Sequence, residues 1–299
     1  MVHRQHSLAL LMLGICSSIL LLGSSLDLRK HSHRTPNHEI SIIFDMNGVL
    51  VKNGKETKIL GISKFIPYAL MHGFSCKKRL KQKMYEFYES IEARTPDQAN
   101  ACDHDGILLP QLMCEWMRGT QTPAQILHKV ETEAATRKPG LELDLISSIA
   151  NMIFTPELFV QTQHWVDEAL DFVKELKSHG YKLYILSNFD SYSFAILKQQ
   201  HPKVFTLFDG VLISGDVGML KPQPAIYEYL LETHGIDRSK AFFIDDQIVN
   251  VQAARDQKIA SALCIPKKGV FSYSLDKNNI RTQFINWRTK LNSSISAIA

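Results

Sequence analysis

The sequence predicts an α/β protein with a doubly wound, mainly parallel sheet and an inserted α-helical domain. Short apolar runs alternate with helical patterns over residues 160–270, which is typical of parallel strands joined by crossover helices. A long stretch with helical periodicity, residues 61–159, separates the first strand from the others. Polar residues follow several strands at the edge where open parallel sheets bind ligands.

The first 38 residues are expected to lie outside the fold. The uncharged apolar run Leu8–Leu22 suits a signal peptide better than a membrane span of about 20 residues. We therefore expect residues 1–25 to be a signal peptide and the protein to be exported, to the periplasm or outside the cell. An uncleaved anchor is the alternative, and the protein would then meet a membrane only through this segment. Residues 26–38 are polar and predict a linker.

Residues 39–60 are expected to begin the core. The apolar run Ile40–Phe44 predicts a strand that delivers Asp45 into the tight turn Asp45-Met46-Asn47-Gly48. Asn53-Gly54 then predicts a β-hairpin between Val49–Val51 and Thr57–Leu60, because both turn residues tolerate positive φ.

Residues 61–159 are expected to form a small helical bundle, the cap. Apolar residues recur there at helical spacing, in the groups Phe65, Tyr68, Ala69 and Met71; Met84, Phe87, Tyr88 and Ile91; and Leu112, Met113, Trp116 and Met117. A basic run over residues 77–83 fits either a solvated helix face or a surface that recognises an anionic substrate or a membrane. Asp103-His104-Asp105 precedes Gly106, which predicts a loop rather than a second metal site.

Residues 160–270 are expected to complete the core. Helices are predicted over Trp165–Leu176, Ala225–Thr233 and Val249–Gln257, and strands over Tyr181–Leu186, Val211–Ile213, Ala241–Ile244 and Ala260–Ile265. Residues 271–299 are less regular and predict a C-terminal extension, either a peripheral helix or a tail.

Charge and cysteine content exclude some classes of protein. A formal net charge of +4, without a basic stripe interleaved with aromatics, argues against nucleic-acid binding. No Cys-x-x-Cys pair is present, which argues against a zinc or thioredoxin-like site. Four cysteines remain after the apolar leader: Cys76, Cys102, Cys114 and Cys264. They permit disulfides in three connectivities. Cys264 lies in a predicted buried strand and is expected to be a packed thiol. The sequence does not indicate an oligomeric state.

Four polar segments are expected to meet at one edge of the sheet. Asp45 follows the first strand, Ser187-Asn188 follows the second, Lys221 precedes Pro222, and Asp245-Asp246 follows a later strand. Adjacent carboxylates at the end of an apolar strand repel each other without a cation. The pattern therefore predicts a catalytic site that contains a metal ion.

In this order and spacing the four segments resemble the haloacid dehalogenase-like hydrolase superfamily. The resemblance covers residues 39–266 and implies a Rossmann-like core with a helical cap inserted after the first motif. It implies a hydrolase, and specifically a Mg²⁺-dependent phosphatase that acts on a small phosphorylated compound through an aspartyl-phosphate intermediate. An aspartate suits that chemistry because a covalent intermediate divides one difficult displacement into two easier ones.

The resemblance also implies a role for each site residue. Asp45 is the nucleophile, Lys221 neutralises charge, and Ser187 binds phosphate. Asn188 orients substrate or Lys221. The implied Mg²⁺ ligands are Asp45, the main-chain carbonyl of Asn47, Asp245 and Asp246.

Asn47 departs from the family pattern, because most phosphatases of the superfamily carry a second aspartate at this position. That change removes a proton-transfer group from the catalytic set. Two alternatives follow from it: a metal-independent dehalogenase-like hydrolase, and a catalytically weak binding protein that uses the cap as an interaction surface. The Asp245-Asp246 pair favours the metal-dependent phosphatase over the first alternative.

Overall fold

The fold is seen in a computed structural model that describes residues 36–54, 62–73, 76–95, 100–103, 105–268, 273–275 and 277–298. The predicted signal peptide, most of the predicted linker, the second strand of the predicted hairpin and His104 lie outside these residues.

The described chain contains nine strands. They are β1 (Ser41–Phe44), β2 (Val51–Asn53), β3 (Gln163–Trp165), β4 (Lys182–Ser187), β5 (Gly210–Ile213), β6 (Ala241–Asp245), β7 (Ala260–Leu263), β8 (Pro266–Lys268) and β9 (Tyr273–Leu275). Five of them form one sheet in the order β5-β4-β1-β6-β7, in which every neighbouring pair is parallel. The predicted fold class is therefore confirmed.

Six α-helices are described between the first motif and the rest of the core. They are α1 (Ile62–His72), α2 (Cys76–Ile91), α3 (Gln111–Arg118), α4 (Pro123–Ala135), α5 (Leu141–Phe154) and α6 (Pro156–Thr162). Edge-to-face and tilted aromatic pairs hold them together: the Phe154 ring lies 5.4 Å from Trp116 and 5.7 Å from Tyr88, between ring centroids. The inserted helical cap is thus present, and its predicted bounds stay a prediction.

Seven helices follow the cap within the described residues. They are α7 (Asp167–Ser178), α8 (Ser191–Gln200), α9 (Pro202–Phe205), α10 (Ser214–Val217), α11 (Pro224–His234), α12 (Ile248–Asp256) and α13 (Lys277–Ile298). Their apolar faces cover the sheet; Phe44 of β1, for example, contacts Phe172 and Phe208 edge to face at centroid distances of 6.4 and 6.3 Å.

β2 pairs antiparallel with β3, with Asn53 opposite Gln163. The run Thr57–Leu60, the predicted hairpin partner of Val49–Val51, lies outside the described residues. The predicted start of the next helix was wrong. Trp165 belongs to β3 and α7 starts at Asp167. The Trp165 ring packs edge-on against Phe205 at 5.7 Å, and this tertiary contact outweighs the helical spacing that placed Trp165 in the helix.

The C-terminal extension contains a helix that packs on the core. Phe284 of α13 is 1% exposed and lies 5.5 Å from Phe242 of the sheet, between ring centroids. The strand expected to reach Ile265 ends at Leu263. The four described cysteines are buried, and no disulfide joins any two of them.

Among the residues that the structure describes, no single helix is long and apolar enough to cross a membrane. One bent pair, α5 and α6 with an angle of 91° between them, meets the length and composition requirement together.

Candidate active site

Three adjacent strands deliver polar groups to one edge of the sheet. Residues of β1 pair with residues of β4 and β6 in parallel register, with Phe44 opposite Ile185 and Ile244. Asp45, the residue after β1, donates its backbone N–H to the Ile244 carbonyl at 2.9 Å. This register places Asp45 level with Asp245 and one residue short of Ser187, so the predicted convergence of these strand ends is observed.

Lys221 joins two of the carboxylates. Its Nζ lies 2.9 Å from Asp45 Oδ1 and 2.6 Å from Asp245 Oδ2. The lysine is 1% exposed. Burial alone would lower the pKa of Lys221, but the charges of Asp245 and Asp45 outweigh burial and raise it. Lys221 is therefore a buried ammonium group held beside the candidate nucleophile.

Asp45 is buried and only partly neutralised. Burial raises the pKa of the Asp45 carboxyl, the Lys221 ammonium offsets part of that effect, and repulsion by Asp245 adds to it, which brings the pKa to about 6. One carboxylate oxygen, Oδ1, accepts the backbone N–H of Met46 at 2.7 Å. The Lys221 and Met46 contacts orient the carboxylate.

Asp246 has the most perturbed carboxyl group of the site. Burial, followed by repulsion from Asp45 and Asp245, raises the pKa of Asp246 to about 8. Its Oδ1 is buried without a hydrogen-bond partner. Gly48 makes room for this side chain, since a Cβ on Gly48 would lie 2.1 Å from Asp246 Oδ2, and φ there is +82°. Both the close approach of Asp246 and the positive φ therefore require glycine at this position of the first motif.

The three carboxylates fit a metal ion. Asp45, Asp245 and Asp246 each offer an oxygen, and these oxygens lie within 4.8 Å of one another. When all three are ionised, the single ammonium of Lys221 leaves two negative charges uncompensated in a buried site. Carboxylate oxygens are the ligands that hard divalent cations prefer. The unpartnered Asp246 Oδ1 gives such a cation a free ligand.

The two carboxylates of the acidic pair have different surroundings. Asp245 is 0% exposed, and besides Lys221 it accepts the Gln247 backbone N–H at 2.8 Å and the Asn250 amide at 3.1 Å to each oxygen. Asp245 therefore positions Lys221, while Asp246 retains a free oxygen. The role of Asn250 was missed; its signal was a polar residue between Val249 and Val251 in a helix directly after the acidic pair.

Ser187 is the last residue of β4 and Asn188 follows it, and the two side chains have different contacts. Ser187 is fully buried, and its hydroxyl makes no hydrogen bond of good geometry to any described residue. The Asn188 amide donates to the Lys221 carbonyl at 2.9 Å and accepts the Lys221 backbone N–H at 2.8 Å. Asn188 thus holds Lys221 in place, and its contact with substrate stays a prediction.

Asn47 lies half-buried in the turn after Asp45. Its side-chain Oδ1 is buried without a hydrogen-bond partner. Among the residues that the structure describes, no donor bonds to its main-chain carbonyl. Both oxygens are thus available, and the carbonyl is the one that the resemblance assigned to a metal.

The fold and the site define the class of protein. A parallel five-stranded sheet with an inserted helical cap brings an aspartate, a buried lysine and an acidic pair to one edge. The chain belongs to the haloacid dehalogenase-like hydrolase family, whose model matches residues 41–257. It is a hydrolase of that family.

Individual relatives match only parts of the chain. The sesquiterpene phosphatase astK of Aspergillus oryzae is 34% identical over 83 residues, which are 28% of this chain and 42% of that protein. Bifunctional epoxide hydrolase 2 of Rattus norvegicus is 34% identical over 91 residues, 29% of this chain and 16% of that protein. The matches therefore span less than half the length of these relatives.

A solved structure shares the fold. A HAD family enzyme from Bacteroides thetaiotaomicron, crystallised as a mutant with magnesium and inorganic phosphate, superposes with a TM-score of 0.51 at 19% identity. The match covers 77% of this chain and 96% of that one.

Proposed function

We propose that the protein is a Mg²⁺-dependent phosphatase that acts on a small phosphorylated compound through an aspartyl-phosphate intermediate. The observation that supports this most is the contact of the buried Lys221 ammonium with Asp45 at 2.9 Å, beside two further carboxylates. A carboxylate nucleophile and a phosphate are both anions, so their reaction needs fixed positive charge at the site.

Each site residue has a role in this chemistry. An Asp45 oxygen attacks phosphorus as the bond to the leaving oxygen breaks, and the substrate's alcohol or phenol departs with a proton from solvent. Water then attacks phosphorus, releases inorganic phosphate and regenerates Asp45. Lys221 offsets the charge on the transferring oxygens. The unbonded hydroxyl of Ser187 donates to a phosphate oxygen.

Mg²⁺ fits the acidic cluster and would be held by Asp45, Asp246 and the Asn47 carbonyl. Bound there, Mg²⁺ supplies positive charge that reduces repulsion between the nucleophile and the phosphate. Asp245 acts mainly through Lys221, because both of its oxygens already accept hydrogen bonds. The metal-independent dehalogenase is less well supported, because a cluster of three carboxylates with oxygens within 4.8 Å of one another has no role in it.

Two observations bear on the substrate. The similarity to a sesquiterpene phosphatase supports phosphate monoesters as the substrate class. Asn47 cannot protonate a leaving group, so aryl and acyl phosphates, which leave without help, are expected to react faster than alkyl phosphates.

The direct test is release of phosphate from an aryl phosphate by the full chain, with Mg²⁺ and with chelator. We expect turnover that requires Mg²⁺. Metal-independent halide release from a 2-haloacid, with no phosphate release, would instead support the dehalogenase alternative. Binding of Mg²⁺ and phosphate without turnover would support the binding protein.

Replacing Asn47 with Asp should raise turnover of alkyl phosphates more than turnover of aryl phosphates. A positioned general acid contributes on the order of 10² to 10⁴ in rate, and most of that where the leaving group is poor. The measurement is kcat/KM for both substrate types in the native chain and in Asn47→Asp.

The matched control is Asn151→Asp, the same change at an exposed position of α5. Asn151→Asp should leave kcat/KM unchanged for both substrate types. An equal effect of Asn47→Asp on the two substrate types would mean that residue 47 is outside the proton path.

Mg²⁺ should stabilise the protein more as pH rises. The pKa values of Asp45 and Asp246 are raised to about 6 and about 8, so the metal-free native state binds protons that the unfolded chain has lost. Its free energy of unfolding should therefore fall from about pH 4 to about pH 8, by up to ~1.4 kcal/mol per pH unit for each proton. A cation takes the place of those protons and removes the loss.

Urea unfolding with and without Mg²⁺ across that pH range measures this effect. In Asp246→Asn the pH dependence should flatten and the Mg²⁺ effect should shrink. Stability that responds to neither pH nor Mg²⁺ in the native chain would contradict the metal site.

A further inference from the structure

Helix α1 of the cap exposes an apolar face. Ile66, Leu70 and Met71 are 47%, 81% and 72% exposed, which makes the last two unusually accessible for large apolar side chains. Pro67 is exposed beside them. Residues four apart lie on the same side of a helix, so these four side chains form one surface, called here the α1 face.

The α1 face is held outward by packing on its other side. Tyr68, which follows Pro67 directly, is 1% exposed and donates its hydroxyl to Glu142 of α5 at 3.1 Å. α1 also packs against both α2 and α5. The exposure of the α1 face is thus a property of the folded cap.

Two exposed lysines lie in the first turn of α2, the helix that follows α1 and packs against it. α2 begins four residues after α1 ends, and its first turn carries Lys77 and Lys78, both exposed. Neither lysine forms an ion pair with any acidic group that the structure describes. The rest of the basic run differs, since Lys81 contacts Asp103 and Asp105, Lys83 contacts Glu86, and Arg79 lies 3.8 Å from Glu142.

We propose that the α1 face, together with Lys77 and Lys78, is a docking surface for an anionic lipid bilayer. The apolar side chains would enter the boundary between headgroups and acyl chains, and the two lysines would contact anionic headgroups. This combination of an exposed apolar face and adjoining unpaired cations is what a negatively charged membrane surface complements. The docking is a contact of the folded cap, separate from any contact made by the N-terminal segment.

The charge pattern disfavours a second copy of the chain as the occupant. A two-fold contact centred on Leu70 and Met71, the most exposed residues of the α1 face, would lie at the end of α1 that is followed by Lys77 and Lys78 and would bring these lysines of the two copies towards each other. No acidic residue lies within the α1 face to compensate them. An anionic bilayer has no such repulsion.

A fluorescent probe on the face tests the proposal. An environment-sensitive fluorophore is attached to Leu70→Cys in the full chain, in a Cys16→Ser background; the described cysteines are buried. The protein is titrated with vesicles of equal parts phosphatidylglycerol and phosphatidylcholine, and with vesicles of phosphatidylcholine alone. The matched control carries the probe on Tyr229→Cys, an aromatic position of α11 that is 42% exposed.

We expect a blue shift of the Leu70→Cys probe with the anionic vesicles, little shift with phosphatidylcholine alone, and none for the Tyr229→Cys probe. Lys77→Gln and Lys78→Gln should each raise the lipid concentration at half-maximal shift about fivefold. The control separates this contact from binding through the N-terminal segment, which would not bring the α1 face into lipid.

Three results would overturn the proposal. One is a Leu70→Cys probe that stays in water with anionic vesicles. Another is an equal response to both vesicle types that ignores the lysine changes. The third is a shift that depends on protein concentration without vesicles, which would identify a second copy as the occupant.

Discussion

Asp45→Asn should abolish phosphate release, by a factor of about 10⁴ or more. An amide is a poor nucleophile for phosphorus, and the variant cannot form the aspartyl phosphate. The fold should be retained, because the amide has nearly the same shape and its oxygen still accepts the Met46 N–H that Asp45 accepts at 2.7 Å. In the metal-free protein the change should not lower stability, since burial outweighs the Lys221 attraction in raising the Asp45 pKa.

Initial rates with an aryl phosphate and urea unfolding of the same samples measure the two effects. Asp216→Asn is the matched control, because it neutralises an exposed carboxylate that accepts the Ser191 hydroxyl at 2.7 Å and lies outside the site. Turnover within tenfold of the native rate in Asp45→Asn would assign the nucleophile to another group.

Local sequence predicted the strands better than their partners. The strand at β1 and those at β4 and β6 were predicted from continuous apolar runs that end at polar residues, and parallel topology then required Asp45 and Asp245 to meet. The pairing of β2 with β3 was not predictable in the same way. Asn53 of β2 and Gln163 of β3 are 110 residues apart. Nothing in the sequence of either three-residue strand indicates which strand it pairs with.

The site was predicted as a set of residues with roles taken from the resemblance, while the different surroundings of Asp245 and Asp246 were not predicted. Sequence treats Asp245 and Asp246 alike, because both follow the same apolar strand. Their difference comes from what surrounds them: Asn250 and Gln247 hold Asp245 against Lys221, while Asp246 lies against Gly48 with a free oxygen. Such differences depend on side-chain directions that only the folded helix after β6 defines.

Lys221→Met should lower both turnover and stability. The change removes the cation that lies 2.9 Å from Asp45 and 2.6 Å from Asp245, and removal of one partner from a buried ion pair costs about 3–5 kcal/mol. Turnover should fall on the order of 10³-fold, because a fixed charge beside the transferring oxygens is lost. The loss of stability should shrink as pH falls, since carboxylates deprived of the ammonium have still higher pKa values and take up protons instead.

The control is Lys240→Met. The Lys240–Glu39 ion pair has the same length as the Lys221–Asp245 pair, 2.6 Å. The Lys240 and Glu39 side chains are 28% and 41% exposed, whereas those of Lys221 and Asp245 are 1% and 0% exposed. Water replaces a lost partner at the surface and cannot do so in the site. Urea unfolding at about pH 5 and about pH 8 should therefore show a pH-dependent loss for Lys221→Met alone. Equal losses in the two variants would mean that water reaches Lys221 and that its charge is screened.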